Sequence, residues 1–235
     1  MKEELNNCMR YVVATSRIWY QYLPERLHDF TGEEFELITN KEDLTVDRLK
    51  KMNPKYIFFP HWSYIIPAVV YENFNCVIFH MTDVPFGRGG SPLQNLISRG
   101  IYETKITALR CVAELDAGPV YMKQPFSLYG TAEEIFMRAA KQIEKMIVSI
   151  ITKEPVPIPQ TSAVDCFPRR KPEDGNIAPL TELEQVFDYI RMLDAEGYPK
   201  AFLETEHFRL EFERSTFRQG KVISDVIITK KVKRS

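Results

Sequence analysis

An imidazole and a carboxylate stand some three dozen residues apart in this chain, each a short way ahead of glycine. His80 precedes Phe86-Gly87-Arg88-Gly89-Gly90, and Asp116 lies two residues before Gly118. A carboxylate next to an imidazole raises its pKa and fixes its tautomer. Such a pair suits general acid–base work on a proton moving near neutral pH. Arg88 and the glycines Gly87, Gly89 and Gly90 could present a guanidinium or backbone N–H groups to an anion. Taken alone, His80 reads equally well as a solvated loop histidine. The residues by themselves point to an α/β enzyme with a His–Asp site.

The elements around these residues follow from hydrophobic periodicity. Strands are expected at 10–16, 35–39, 55–60, 76–79 (with His80 at its carboxyl end), 106–111 and 120–126. Helical patterns fall at about 20–28, 44–52, 68–72 and 92–98. A longer helix runs from Thr131 to about Thr152, opened by the capping box Thr131-Ala132-Glu133-Glu134. Strands alternating with helices imply parallel βαβ units, and ligands of such sheets bind outside the strands' carboxyl ends. Ser91-Pro92 reads as an N-cap followed by proline at the first helical position. The proline-rich run from Glu154 to Pro159 is an extended linker. A second capping box, Thr181 to Glu184, opens a helix ending near Leu193, and three antiparallel strands follow at 201–206, 208–215 and 222–229. The expected domains are 1–153, catalytic; 154–180, linker; and 181–235, a small C-terminal α+β subdomain.

A formal net charge of −1 gives no global field favouring nucleic acid or an anionic membrane. The basic end, Lys230 to Arg234, reads as a solvated tail. No apolar run approaches a spanning helix, and the start has no signal-peptide pattern. Cys8, Cys76, Cys111 and Cys166 form no CxxC pair, so neither a metal site nor a disulfide framework is expected. Together these point to a cytoplasmic setting.

At the His80 and Asp116 segments the sequence resembles the formyltetrahydrofolate-dependent formyltransferases. That family carries an Asn-x-His-x-Ser-Leu-Leu-Pro loop, a later Arg-Gly-x-x-Pro-x-Gln and a distal Leu-Asp-x-Gly. His80, Pro85, Arg88-Gly89, Pro92 and Gln94 match in register, as does Glu114-Leu115-Asp116-Ala117-Gly118-Pro119-Val120. The segments Arg169 to Gly175 and Ile190 to Phe202 also look like parts that follow the catalytic domain in sugar and methionyl-tRNA formyltransferases. The resemblance implies a Rossmann-like domain with a mostly parallel sheet, N10-formyltetrahydrofolate as formyl donor and a primary amine as acceptor. Attack of the amine on the formyl carbon gives a tetrahedral oxyanion; His80 takes the amine proton or stabilises the oxyanion, and Asp116 orients His80. Backbone groups of Tyr64, Ile65, Ile66, Val112, Ala113 and Glu114 would hold the pterin ring. The family's Asn two residues before the His is Ile78 here, Thr82-Asp83-Val84 replaces Ser-Leu-Leu, and Phe86 stands for the usual Lys. Losing such an oxyanion donor typically costs on the order of 10²–10³ in rate, so a substitute is expected, with Asn95 the candidate.

The extra segment from Arg169 onward, and the run from His80 to Gln94, look like sugar N-formyltransferases of the pseudaminic-acid type. The expected acceptor is therefore the amine of a nucleotide-linked amino-deoxysugar, probed by Arg17, Trp19, Arg88 and Thr82, with a UDP-linked 4-amino sugar preferred. That makes the chain a surface-glycan enzyme, a homodimer by analogy, with no nucleic acid or membrane partner. Glycinamide ribonucleotide and methionyl-tRNA formyltransferases are the alternatives, as is a catalytically dead folate or nucleotide-sugar binder suggested by Ile78.

Overall fold

Runs that are apolar on both faces become the central strands. Tyr11, Val12, Val13 and Ala14 are all buried, as are Ile57, Phe58 and Phe59, the pattern of a sheet covered on both sides. The structure, a computed structural model, describes residues 8–231. In chain order it runs β1 (Arg10–Ala14), α1 (Leu23–Thr31), β2 (Glu34–Ile38), α2 (Val46–Met52), β3 (Tyr56–Phe59), α3 (Ala68–Tyr71), β4 (Cys76–His80) and β5 (Arg88–Gly89). It continues α4 (Pro92–Ile97), β6 (Glu103–Arg110), β7 (Val120–Ser127), α5 (Ala132–Lys153), β8 (Cys166–Phe167), α6 (Leu183–Arg191), β9 (Ala201–Glu204), β10 (Phe208–Arg218) and β11 (Lys221–Lys230).

The main sheet has the order β2-β1-β3-β4-β6-β7. β1 pairs in parallel with β2 and β3, and β3 with β4; β6 then joins β4 antiparallel, with His80 opposite Thr107. The expected α/β fold with a mostly parallel sheet is present, and β9 to β11 form the separate antiparallel sheet. Val12, Leu49, Ile57, Phe59 and Val70 form the centre of a core cluster, with Ile78 packed at its margin. By contacts the chain divides into two units. The first holds the residues up to Arg88, Lys105–Gln124 and Arg138–Asp165; the second holds Gly89–Thr104, Pro125–Met137 and the chain from Cys166 onward. Residues 89–104 and 125–137 thus group with the chain from Cys166 onward.

Two of the three helix starts behave otherwise than their local sequence suggests. Thr131 and Glu134 make the reciprocal capping bonds of α5, Glu134 N to Thr131 Oγ1 at 3.3 Å and Thr131 N to Glu134 Oε2 at 2.8 Å. Thr181 does not cap α6: Glu182 occupies the cap position and makes no side-chain capping bond. Ser91 does precede α4, but in a left-handed conformation (φ 49°), and its hydroxyl accepts the Arg170 N–H at 3.1 Å instead of capping its own helix. Long-range demand has overridden the local option at this hydroxyl.

The loop after His80 is anchored by charge. Asp83 meets Lys105 at 2.8 Å and also Lys123, whose ammonium reaches the Val84 carbonyl as well. Burial acts to raise the Asp83 carboxyl, but the hydrogen bonds and charges of the two lysines outweigh it and hold the group below its ordinary value of 3.8. A depressed acid stabilises the fold above the unfolded value and loses that contribution as pH falls through the folded one. Asp83→Asn should therefore cost about 0.5–1 kcal/mol at neutral pH, a modest figure because the pair is partly solvated, and nothing once the wild-type carboxyl is protonated. Urea titrations of both proteins at pH 7 and at pH 2.5 check this; equal differences at both pH values would contradict it.

Among the described residues no helix is long and apolar enough to cross a membrane. No group of three or more His, Cys, Asp or Glu side chains among them could hold a metal ion.

Candidate active site

His80 ends β4 and is buried, with its side chain 8% exposed. Its Nε2 lies 2.7 Å from the Gly87 carbonyl, which also accepts the Thr82 hydroxyl at 3.2 Å. A carbonyl oxygen only accepts, so Nε2 must carry its hydrogen. In the neutral ring Nδ1 is then a bare lone pair. It faces Asp116 Oδ2 at 3.5 Å. Neither atom has a hydrogen to give the other; a proton arriving on Nδ1 converts the two into a buried ion pair. The geometry is that of a proton acceptor waiting at Nδ1, with a carboxylate to stabilise the charged ring.

Asp116 reaches this position only because its loop folds back. β6 runs antiparallel to β4, so Cys111 begins the loop beside Cys76, at the end of β4 remote from His80. Asp116 itself takes a left-handed backbone (φ 53°). At Gly118 an added Cβ would lie 1.7 Å from the Arg110 carbonyl oxygen, so only glycine lets the returning strand pass so close. Gly118→Ala should destabilise the protein by about 1–3 kcal/mol through overpacking, measured by urea denaturation; an unchanged midpoint would mean that the loop does not need this close approach.

The other expected site residues are arranged as follows. Thr82 is fully buried, and its carbonyl accepts the Thr107 hydroxyl at 2.7 Å, so it supports the loop and has no surface for a substrate. Arg88 is buried as well. Its Nε and Nη2 donate to Gln160 Oε1 at 3.1 and 2.9 Å, and its Nη1 to Glu114 Oε1 at 3.0 Å. The expected anion contact is corrected by this: the guanidinium is taken up inside the protein. Gly89 and Gly90 serve close approach to the backbone of Phe167 and Arg169 instead of cradling an anion. Asn95 gives its amide hydrogens to the carbonyls of Gly90, Ser91 and Pro168, and its oxygen accepts from Arg99. With no N–H left to donate, it does not replace the family's asparagine, and Ile78 packs as an aliphatic residue.

Ile66 is core, whereas Tyr64 and Ile65 are exposed, Ile65 at 85%. Val112 is half-buried; Ala113 and Glu114 are exposed. Among the described residues, the backbone N–H groups of Tyr64, Ile65 and Ile66, and of Val112, Ala113 and Glu114, donate to no internal acceptor. N–H groups left open in this way, one run after β3 and one after β6, are of the kind that meets the edge acceptors of a flat heterocycle such as a pterin.

Arg17 and Trp19 follow β1. The guanidinium lies 6.0 Å from the Trp19 ring, and that ring 6.2 Å from His61. The His61 carbonyl accepts the Ser16 hydroxyl at 2.9 Å, tying the ends of β1 and β3 together. Although part of its surface is open, burial of the His61 ring, with the Arg17 charge beside it, pushes its pKa down to about 3, so it is neutral at physiological pH. Trp62 packs edge-on against Phe59 and Tyr64. Burial, reinforced by the Asp116 charge, pushes the Cys111 thiol up to about 11, which excludes it as a thiolate nucleophile near neutral pH.

Sequence reasoning missed Gln160. Its Nε2 donates to the Asp116 and Gly118 carbonyls at 2.9 and 2.8 Å while its oxygen holds Arg88. A lone glutamine beside proline-rich sequence has no periodicity or motif to mark it.

Comparison with known proteins separates the acceptors. Residues 172–229 match the family model described as the methionyl-tRNA formyltransferase C-terminal domain. A solved methionyl-tRNA formyltransferase from Clostridium thermocellum is 50% identical, with a TM-score of 0.92 over 95% of this chain and 100% of that one. A methionyl-tRNA formyltransferase of Rickettsia felis is 28% identical over 204 residues, 80% of this chain and 66% of its own length, so the chain spans just under two thirds of that curated relative. The formyltransferase PseJ from Anoxybacillus kamchatkensis, solved with a UDP-linked formamido sugar and tetrahydrofolate, is 19% identical, with a TM-score of 0.54 over 67% of this chain and 85% of that one, and shows the fold alone. These findings overturn the expected nucleotide-sugar acceptor, the glycan role and the exclusion of nucleic acid. A net charge near zero sums over the whole chain without describing any one surface. The chain belongs to the formyltransferase family, the one-carbon transferases that use N10-formyltetrahydrofolate, and methionyl-tRNA formyltransferases are among its relatives.

Proposed function

We propose that this chain transfers the formyl group of N10-formyltetrahydrofolate to the α-amine of methionyl-tRNA. The 50% identity to the Clostridium thermocellum enzyme across that whole chain supports the choice of acceptor. The formyl donor supplies an activated acyl carbon whose bond to N10 breaks as the new C–N bond forms. This chain's residues manage the proton. The amine must lose one hydrogen as it becomes an amide, and N10 must gain one as it leaves. His80 Nδ1, kept bare by the Nε2–Gly87 bond, takes the amine proton, and Asp116 stabilises the ring while it is charged. The backbone N–H groups of 64–66 and 112–114 hold the pterin edge. Trp19 and Arg17 offer the 3′ end of the tRNA an aromatic face and a cation, a pairing suited to a base and its phosphate.

The test is direct. Protein, N10-formyltetrahydrofolate and charged methionyl-tRNA are mixed, and formylmethionyl-tRNA is followed by acid gel or mass spectrometry. Stoichiometric formylation is expected, with no product on uncharged tRNA. Release of tetrahydrofolate with glycinamide ribonucleotide but not with methionyl-tRNA would overturn the choice of acceptor, and absence of formyl transfer to either would overturn the reaction.

A further inference from the structure

We infer that Gln160 is a positioning residue that holds Asp116 against His80. Its amide bonds both to the Asp116 loop and to the loop that follows His80. On one side Nε2 donates to the Asp116 and Gly118 carbonyls at 2.9 and 2.8 Å. On the other, Oε1 accepts Nε and Nη2 of Arg88 at 3.1 and 2.9 Å, one residue beyond the Gly87 carbonyl that fixes the His80 tautomer.

The chemistry permits one orientation. A guanidinium only donates and a backbone carbonyl only accepts. Turning the amide over would set NH₂ against the guanidinium and oxygen against two carbonyls. Gln160 therefore reads the difference between its neighbours and links them in one sense only. Asp116 needs such a tether. Its left-handed backbone is disfavoured for a residue with a side chain, so it persists only where its surroundings enforce it. Two carbonyls flanking this strained bend, at 116 and 118, are tied to one side chain. Arg88 is tied in turn by Glu114 at the opposite end of the same loop, so the 114–118 segment is held at both ends through one buried cation. Gln160 thus links the proline-rich stretch, itself bridged to Val120 through Ile158, to the position of the carboxylate.

This inference rests on the assignment of His80 and Asp116 as the proton-handling pair, and its test separates the two. Gln160→Glu keeps the acceptor for Arg88 but presents a second acceptor to the Asp116 and Gly118 carbonyls, releasing only the Asp116 side. Gln160→Met releases both sides. In the full chain, the ring nitrogens of His80 are followed by ¹⁵N NMR against pH, with Asp116→Asn as the reference for a lost carboxylate. Both Gln160 variants are expected to move the His80 profile toward that reference, and Gln160→Met alone to lose Tm. Formyl transfer from N10-formyltetrahydrofolate to methionyl-tRNA should fall in kcat by about 10–100-fold in both, the scale of a small misplacement, while KM for the tRNA stays near wild type. Wild-type His80 profiles in both variants, or wild-type kcat in Gln160→Glu, would overturn the positioning role. A KM rise at unchanged kcat would instead make Gln160 a substrate contact and overturn it equally. Should the wild-type chain transfer no formyl group, the functional assignment fails while the His80 profiles still decide the tether.

Discussion

Replacing His80 with alanine should reduce formyl transfer by about 10²–10⁴-fold, the usual worth of a positioned acid–base group. The fold should survive, because the Gly87 carbonyl keeps the Thr82 hydroxyl as a donor. Asp116→Asn should be nearly as damaging for a reason specific to this geometry. A carboxamide can turn its N–H toward Nδ1 and occupy the lone pair that takes the proton, and it offers no charge to the ring once that proton arrives. The expected signature is a loss in kcat with the KM for methionyl-tRNA little changed. Proton-coupled ¹⁵N spectra of the wild type at high pH should show the Nε2–H tautomer. A neutral ring protonated at Nδ1 would contradict the assigned proton route, and a fully active His80→Ala enzyme would refute the site itself.

That pair shows which structural features were legible in the sequence and which were not. His80 and Asp116 carried motif neighbours, so their partnership was readable from the resemblance. The path that joins them was not, because strand direction is decided by pairing. β6 runs antiparallel to β4, and the loop returns through a left-handed aspartate and a glycine at van der Waals limit. Elements dictated by their own residues were legible: the reciprocal caps at Thr131 and Glu134, and the buried stripe of α5 through Ile135, Ala139, Ile143, Met146 and Ile150. Elements whose side chains had a better distant partner were not. Ser91 bonds the Arg170 backbone instead of capping α4, and Arg88 and Asn95, which looked free to meet a ligand, satisfy groups of the protein itself. Polar side chains promise chemistry in a sequence and often turn out to be satisfying buried donors and acceptors. The acceptor was misread for a different reason: the motif most visible in the sequence is a short run beginning at His80, whereas the likeness to the Clostridium thermocellum enzyme is spread over 95% of the chain.

The largest stability effect is expected in the second unit, at the ion pair that packs α6. Asp188 and Arg191 are both buried, 8% and 3% exposed, and meet at 2.7 Å. Both have further partners: Tyr102 donates its hydroxyl to Asp188 at 2.7 Å, and Arg191 Nη1 donates to the Leu128 and Gly130 carbonyls at 2.6 and 2.8 Å. The hydrogen bond to Asp188, aided by burial, raises the Tyr102 phenol, keeping it a donor throughout the neutral range. Such a pair contributes little relative to a well-packed apolar replacement, but removing one member strands the other. Arg191→Met should cost about 3–5 kcal/mol, because Asp188 would stay buried with only Tyr102 to satisfy it. That is a large part of the roughly 5–15 kcal/mol by which folded domains are stable. Asp188→Leu combined with Arg191→Met should recover most of the loss, since neither charge is then desolvated. Urea denaturation followed by tyrosine fluorescence would test both. A single variant within 1 kcal/mol of wild type would show that water reaches the pair, whereas a double variant as unstable as the single one would mean that Tyr102 and the 128–130 carbonyls, not the charges, hold α6 in place.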